Sequence, residues 1–366
     1  MSFPGAVKAR LLAVAGCGLV ALGHAADTHI GTYYFPGWRT HESDRVSPST
    51  WQPLRAFPDR KPLLGYYDDG DVRIVNQQLA WMADSGIEFV ALDWYWNQGS
   101  GVRLGETLQA YFKSANRSRV KLALLWANHE ESPRDQADFD AMVREWLKYF
   151  AHSEYLRIDG KPVVIVFSVV SLEQHAHKFN TSARDLLERA RLQARNAGYP
   201  GIFLIGSTGA NDPTVVRQSQ GTASGYDAFT AYNFQGPATY RYPDGHTDSH
   251  DFDELTAAYQ DQWHWMLDTA HVPYVLPMTS GWDRRPWGGS EDPAHDASRP
   301  TLPQFARHLS EARRTIEQHQ SQTRGFGIIC CWNEFGEGSY IEPTQQDGLA
   351  WLRAVGAAFG QPGGIQ

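Results

Sequence analysis

Eight times along the chain a short apolar run rich in β-branched and aromatic residues gives way to a longer stretch, and this alternation constrains the fold more than any other feature. Strands separated by helices pair in parallel, because a helical crossover returns the chain to the same end of the sheet. The apolar runs fall at residues 29–35, 89–94, 121–126, 163–167, 202–206, 228–232, 274–279 and 326–332. Helical spacing of apolar residues is clearest over 135–150, 182–196, 252–270 and 303–319. Eight such units favour a closed sheet without edges, so the expected fold class is α/β, a single (β/α)8 TIM barrel. Phe35-Pro36-Gly37-Trp38 follows the first strand where a dinucleotide-binding open sheet would carry its glycine fingerprint.

Residues 1–25 stand apart from this pattern. A basic stretch ending at Lys8 and Arg10, an apolar run over 11–22 and the exit Gly23-His24-Ala25 read as a signal peptide cleaved after Ala25. The run is too short to span a bilayer, and no later stretch is longer, so no integral membrane segment is expected after its removal. A competing reading takes Val14-Ala15-Gly16-Cys17 as a lipoprotein processing box. The expected organisation is therefore a signal peptide over 1–25 and one barrel domain over 26–366, secreted or periplasmic. Cleavage removes two of the 33 basic residues and none of the 41 acidic ones, moving the net charge from −8 to −10. Nucleic acid is not an expected partner of so acidic a chain. The mature chain would keep Cys330 and Cys331, whose side chains alternate on a strand, so both are expected as buried free thiols.

The links after strands 1, 6 and 7 are long. Segments 36–72, 233–251 and 280–301 are rich in Gly, Pro, Trp, Asp and Arg and are expected to wall a cleft, because βα loops build the active face of a barrel. Polar and aromatic residues gather at the strand ends that would open into it. They are Tyr33, Tyr34, Trp38, Asp93, Trp94, Trp96, Trp126, Asn128, His129, Tyr232, Asn233, Trp282, Asp283, Arg284, Trp332, Asn333 and Tyr340, all taken as candidate substrate-binding residues. The tryptophans, Trp287 included, are candidate sugar-stacking platforms or core packing. Asp93 either orients a catalytic acid or binds sugar hydroxyls, or else is a buried acid paired with Arg284. Asn128-His129-Glu130 at the third strand end is a similar group, with His129 read as a hydroxyl donor. No HExxH occurs, and His246 with His250 has no third ligand at matching spacing, so no metal and no cofactor is expected.

The densest stretch is Trp332-Asn333-Glu334-Phe335-Gly336-Glu337-Gly338-Ser339-Tyr340-Ile341-Glu342-Pro343. Glu334 and Glu337 fall at the end of the eighth strand, in a turn whose glycines permit left-handed backbone. Two carboxyls sharing one pocket push their pKa values apart, leaving one as acid and one as base. The plainer alternative is that Glu334 caps the turn or pairs with Arg284 while Glu337 is solvated.

The block WNEFGEGSYIEP resembles the signature of glycoside hydrolase family 99-like barrels, including WbsX-like proteins. Further matching pieces are YYFPGW, GYYDDGD, GIEFVALDWYW, YLRIDGKPVV, GYDAFTAY and PMTSGWDRRPW, in order from residue 33 to residue 343. The resemblance implies a retaining, endo-acting hydrolase of an α-linked glycan, mannan-like or a bacterial exopolysaccharide. It implies that Glu337 protonates the leaving oxygen and that Glu334 takes the proton of the 2-hydroxyl, which closes onto the anomeric carbon. Family 99 endomannosidases usually carry Trp and His where this chain has Phe335 and Gly336, and Thr-Gln where it has Ser339-Tyr340. The alternatives are a WbsX-like glycosyltransferase or polysaccharide-biosynthesis protein, and a barrel that binds carbohydrate without turning it over.

Overall fold

The computed structural model describes Met1 and residues 28–40, 49–129, 133–208, 224–234, 242 and 244–360. The expected signal peptide beyond Met1, Cys17 and Glu130 lie outside the described residues, as do parts of the loops after the first and sixth strands.

Eight strands form one parallel sheet. They are β1 (His29–Tyr34), β2 (Phe89–Asn97), β3 (Lys121–Trp126), β4 (Lys161–Val166), β5 (Phe203–Ser207), β6 (Ala228–Thr230), β7 (Leu276–Thr279) and β8 (Phe326–Cys330). The order around the sheet is β6-β5-β4-β3-β2-β1-β8-β7. β1 lies between β2 and β8, with Gly31 opposite Phe89 and His29 opposite Phe326. A parallel bridge from Phe229 to Tyr274 closes the remaining gap, with Val275 N–H donating to Phe229 O at 2.8 Å. This is the eight-stranded barrel that the alternation implies. β2 runs three residues beyond its expected end, because Tyr95, Trp96 and Asn97 pair antiparallel with Gly101–Arg103.

Helices α1 (Val72–Asp84), α2 (Glu106–Lys113), α3 (Gln136–Phe150), α4 (Val169–Lys178), α5 (Ala183–Asn196), α6 (Phe252–Thr269), α7 (Leu302–Gln318) and α8 (Ala350–Phe359) surround the sheet. Asp71, Asp135, Ser168, Ser182 and Asp251 each cap the following helix, the side chain accepting a first-turn N–H. Strand residues alternate between two cores. Phe89, Ala91, Ala123, Leu125, Ile165, Ile205 and Ile328 fill the barrel, while Val90, Leu92, Leu122, Leu124, Val164 and Ile329 pack outward against the helices. Gly31 makes room inside: a Cβ there would run into the Phe89 ring.

Cys330 and Cys331 correct one expectation, since they are joined by a disulfide. The peptide between them is cis, with Cα atoms 2.9 Å apart, so the alternation that separates neighbouring side chains on a strand does not hold there.

At the open end of the barrel, the loops after β1, β7 and β8 meet on one buried cation. Arg60, 1% exposed, donates to the carbonyls of Asp283 at 2.9 Å and Phe335 at 3.0 Å and pairs with the Asp283 carboxylate. Arg285 grips the same carboxylate from outside at 2.6 and 2.8 Å. Burial would raise the Asp283 pKa, but the two guanidiniums hold it below its ordinary value. Nearby, Glu342 accepts hydrogen bonds from Tyr67 at 2.7 Å and Gln78 at 3.1 Å, and burial pushes it up to about 8. Gln78 in turn accepts from Tyr34, tying β1 and α1 to the segment after β8.

Breaking a buried pair strands the remaining charge, at a cost of about 3–5 kcal/mol. Replacing Arg60 with methionine should therefore lower unfolding free energy by that order in chemical denaturation. Unchanged stability would show that Arg285 alone satisfies Asp283.

Candidate functional site

Residues that face into the barrel near its C-terminal rim form an acidic group. Asp93 points inward from β2, two positions along from Ala91 and four from Phe89. Tyr232 follows β6, and its hydroxyl lies 3.2 Å from Asp93 Oδ2 and 3.0 Å from Glu334 Oε1. Glu334 stands in a short antiparallel hairpin after β8, with Asn333 opposite Tyr340 and Glu334 opposite Ser339; Glu337 is at its tip.

The hairpin is held on three sides. Asn333 accepts from Phe35 N–H at 2.9 Å and donates to Phe35 O at 3.0 Å, fixing β8 to the end of β1. Trp38 Nε1 donates to Asn333 O at 2.9 Å. Ser339 donates to Gly281 O and accepts from Asn233 Nδ2 at 2.7 Å, while Asp283 N–H donates to Glu337 O at 2.7 Å. Gly338 sits at φ 71°, where a Cβ would lie 2.8 Å from Asp283 N. A side chain on Gly336 would collide with the Trp287 indole, which covers that part of the turn.

Burial and crowding raise all three carboxyls. Asp93 lies well above its ordinary value through burial, with the Tyr232 hydrogen bond opposing and Glu337 adding to the shift. Glu334 is raised well above its own by burial and by the charges of Glu337 and Asp93. Burial lifts the half-buried Glu337 to about 7, against the field of Arg284. Tyr232 has one hydroxyl hydrogen for two carboxyl oxygens, so both contacts are hydrogen bonds only when Asp93 or Glu334 carries a proton. Asp93 Oδ1 and Glu334 Oε2 have no hydrogen-bond partner among the described residues. Both oxygens are buried.

The structure thus brings together Glu334, Glu337, Asp93 and Tyr232, with Tyr33 packed at 4.7 Å from the Tyr232 ring. Asp93 is partnered by Tyr232, not Arg284. Arg284 is exposed and donates to Gly289 O at 3.3 Å. The exposed His129 lies 4.1 Å from the Phe167 ring, which stands 5.1 Å from Tyr232. Sequence reasoning did not name Phe167 as a site residue, although it ends an expected strand as the other candidates do.

Other candidates serve the framework. Asn233 accepts from Tyr259 at 2.8 Å and Thr279 at 3.1 Å, and Asp283 is held by arginines. Trp38 and Tyr340 pack with Trp51 and Phe335, Trp282 donates to Ser290, and Trp332 is buried in the outer core. Asn128 bridges to the backbone of Ser168. Tyr34, Trp94, Trp96 and Trp126 face away from the cleft. The three indoles lie among the helices, with Trp146 packed 6.1 Å from Trp94 and 5.7 Å from Trp126. Their strand parity opposes that of Asp93, so they are packing and the stacking role expected of them is not supported. Arg60 had no signal in the sequence at all.

Among the described residues, one group of His, Cys, Asp or Glu could hold a metal ion: His246, His250 and Glu254, before and at the start of α6. No described helix is long and apolar enough to cross a membrane.

Residues 57–355 match the family described as Glycosyltransferase WbsX. An uncharacterized protein WxcX of Xanthomonas campestris pv. campestris strain B100 is 24% identical over 323 residues, covering 81% of this chain and 42% of that protein. The chain therefore spans less than half the length of this relative. The GH99 endo-alpha-mannosidase from Bacteroides thetaiotaomicron, in complex with bis-tris-propane, superposes with a TM-score of 0.63 at 14% identity, over 91% of this chain and 96% of that one. A glycoside hydrolase-like protein superposes with a TM-score of 0.62 at 14% identity, over 91% and 94%. At such identities the structural likeness speaks to the fold. With its family match running from residue 57 to residue 355, the chain belongs to the WbsX family, on a TIM barrel shared with the GH99 endo-alpha-mannosidase.

Proposed function

We propose that the chain is an exported glycoside hydrolase that cleaves an α-linked glycan, mannan-like or a bacterial exopolysaccharide, within the chain and with retention of configuration. The observation that carries this reading is that Asp93 and Glu334 share the Tyr232 hydroxyl, with Glu337 close enough for its charge to act on both. Carboxyls with raised, mutually dependent pKa values supply an acid and a base near neutral pH.

In this reading Asp93 is the neutral member. Its proton goes to the Tyr232 oxygen, Tyr232 donates to Glu334, and Glu334 stays ionised. Glu334 then takes the proton of the substrate 2-hydroxyl. That oxygen attacks the anomeric carbon while the bond to the leaving oxygen breaks, and Glu337 gives the leaving oxygen its proton. Water then opens the three-membered ring, losing a proton to Glu337 while Glu334 returns one to the 2-oxygen. A conventional retaining pair needs carboxyls about 5–5.5 Å apart on opposite sides of the sugar. Glu334 and Glu337 belong to one turn and reach the sugar from one side, which favours a base at the 2-hydroxyl over a nucleophile. The family's description names a glycosyltransferase. Release of free glycan ends without a nucleotide-sugar donor separates hydrolysis from that activity.

Replacing Glu337 with glutamine should cut hydrolysis of the responsive glycan at least about 100-fold with little change in melting temperature, because the amide keeps the shape and cannot donate the proton. A panel of α-mannans, α-glucans and bacterial exopolysaccharides identifies that glycan. In the wild type, kcat/KM should fall as pH rises through about 7, where Glu337 loses its proton. A rate undiminished well above neutrality would remove Glu337 from the acid role.

The 2-hydroxyl step has its own test. A substrate deoxygenated at C2 of the cleaved residue should bind without turning over, and NMR of the first product should show the retained anomer. An inverted first product, or brisk cleavage of the 2-deoxy substrate, would eliminate the step.

A further inference from the structure

The loop between β6 and α6 carries a second cluster of ligating side chains, apart from the acidic group. Sequence spacing offers His246 and His250 without a third ligand, but α6 supplies one in its first turn. Asp251 caps that helix by accepting Glu254 N–H at 2.8 Å, which turns the Glu254 carboxylate back over the loop. Glu254 Oε2 there accepts His250 N–H at 2.7 Å and lies 3.1 Å from His246 Nε2. Ligand atoms of His246, His250 and Glu254 all fall within 4.8 Å of one another.

Both histidines are also oriented from behind. Asp244 holds Nδ1 of His246, and Asp292, from the loop after β7, holds Nε2 of His250 at 2.8 Å. A carboxylate on the far side of a ligating histidine fixes its ring and raises its basicity. The rings stack in a column, Tyr242 on His246 at 4.2 Å and His246 on His250 at 3.9 Å. Three carboxylates thus surround two imidazoles. The cluster therefore gathers negative charge around ligating nitrogens, which a divalent cation would neutralise.

We propose that His246, His250 and Glu254 bind one divalent transition-metal ion, with zinc the best match to two imidazoles and a carboxylate. The ion clips the loop after β6 to the start of α6, and Asp292, behind His250, ties that clip to the loop after β7. Asp292 caps the turn Pro293–Ala297, in which Asp296 accepts Arg284 N–H at 2.9 Å, so the clip reaches the segment that faces Glu337.

The full chain, produced without a histidine tag, stripped with EDTA and titrated with zinc by calorimetry, should take up one ion per chain and melt at a higher temperature. Calcium should not compete, because nitrogen ligands disfavour it. Glu254→Gln and His246→Gln should each lose the binding while keeping the wild-type circular dichroism spectrum. Asp244→Asn should weaken it about 10- to 100-fold. Absence of uptake by the wild type, or uptake unaltered in both ligand variants, overturns the proposal. Should a ligand variant fail to fold, an unaltered affinity in Asp244→Asn overturns it equally.

Discussion

Three long loops must meet for this barrel to have a shaped open end, and they meet on Arg60. Its guanidinium is buried, so each of its hydrogen bonds replaces water that the position cannot hold. It joins the carbonyls of Asp283 and Phe335 with the Asp283 carboxylate, and hence the loops after β1, β7 and β8. Asp283 in turn supports the Glu337 backbone. The position of the outermost acid therefore depends on a cation far from it in sequence.

The acidic group owes its chemistry to the arrangement around it more than to any single residue. Asp93, Glu334 and Glu337 are drawn from two strand ends, and their crowding is tolerated because the protein withholds charge from part of the set. One phenol hydrogen serves two carboxyls, so the proton count of the group is set by hydrogen-bond arithmetic as well as by burial. Arg284 acts in the opposite sense on Glu337, drawing its pKa down against burial.

Much of the fold was legible in the sequence because apolar runs and helical periods record which faces are buried. The barrel, its eight strands and the turn bearing Glu334 and Glu337 all followed from pattern. The orientation of the aromatic residues was legible too, but only by keeping to strand parity: with Asp93 inward, Trp94 and Trp96 must point outward. Trp126 needed the register as well, since it pairs directly with Trp94. Arg60 and Phe167 depend on long loops and neighbouring strands meeting in space, which periodicity does not encode. Glu254 is illegible for a different reason: it stands in the first turn of a helix, outside the loop that carries His246 and His250.

The contact between Trp287 and Gly336 has a consequence for how such a site can change over time. The hairpin is bare at residue 336, and an indole from another loop fills the space. An imidazole introduced there would need the indole to withdraw first, whereas removal of the indole alone would leave an apolar gap beside Phe35 and Trp38. Neither single exchange gives a well-packed intermediate. Descendants of this chain can thus vary residues 287 and 336 more readily as a pair than separately, and relatives with a larger residue at 336 should differ at 287 as well.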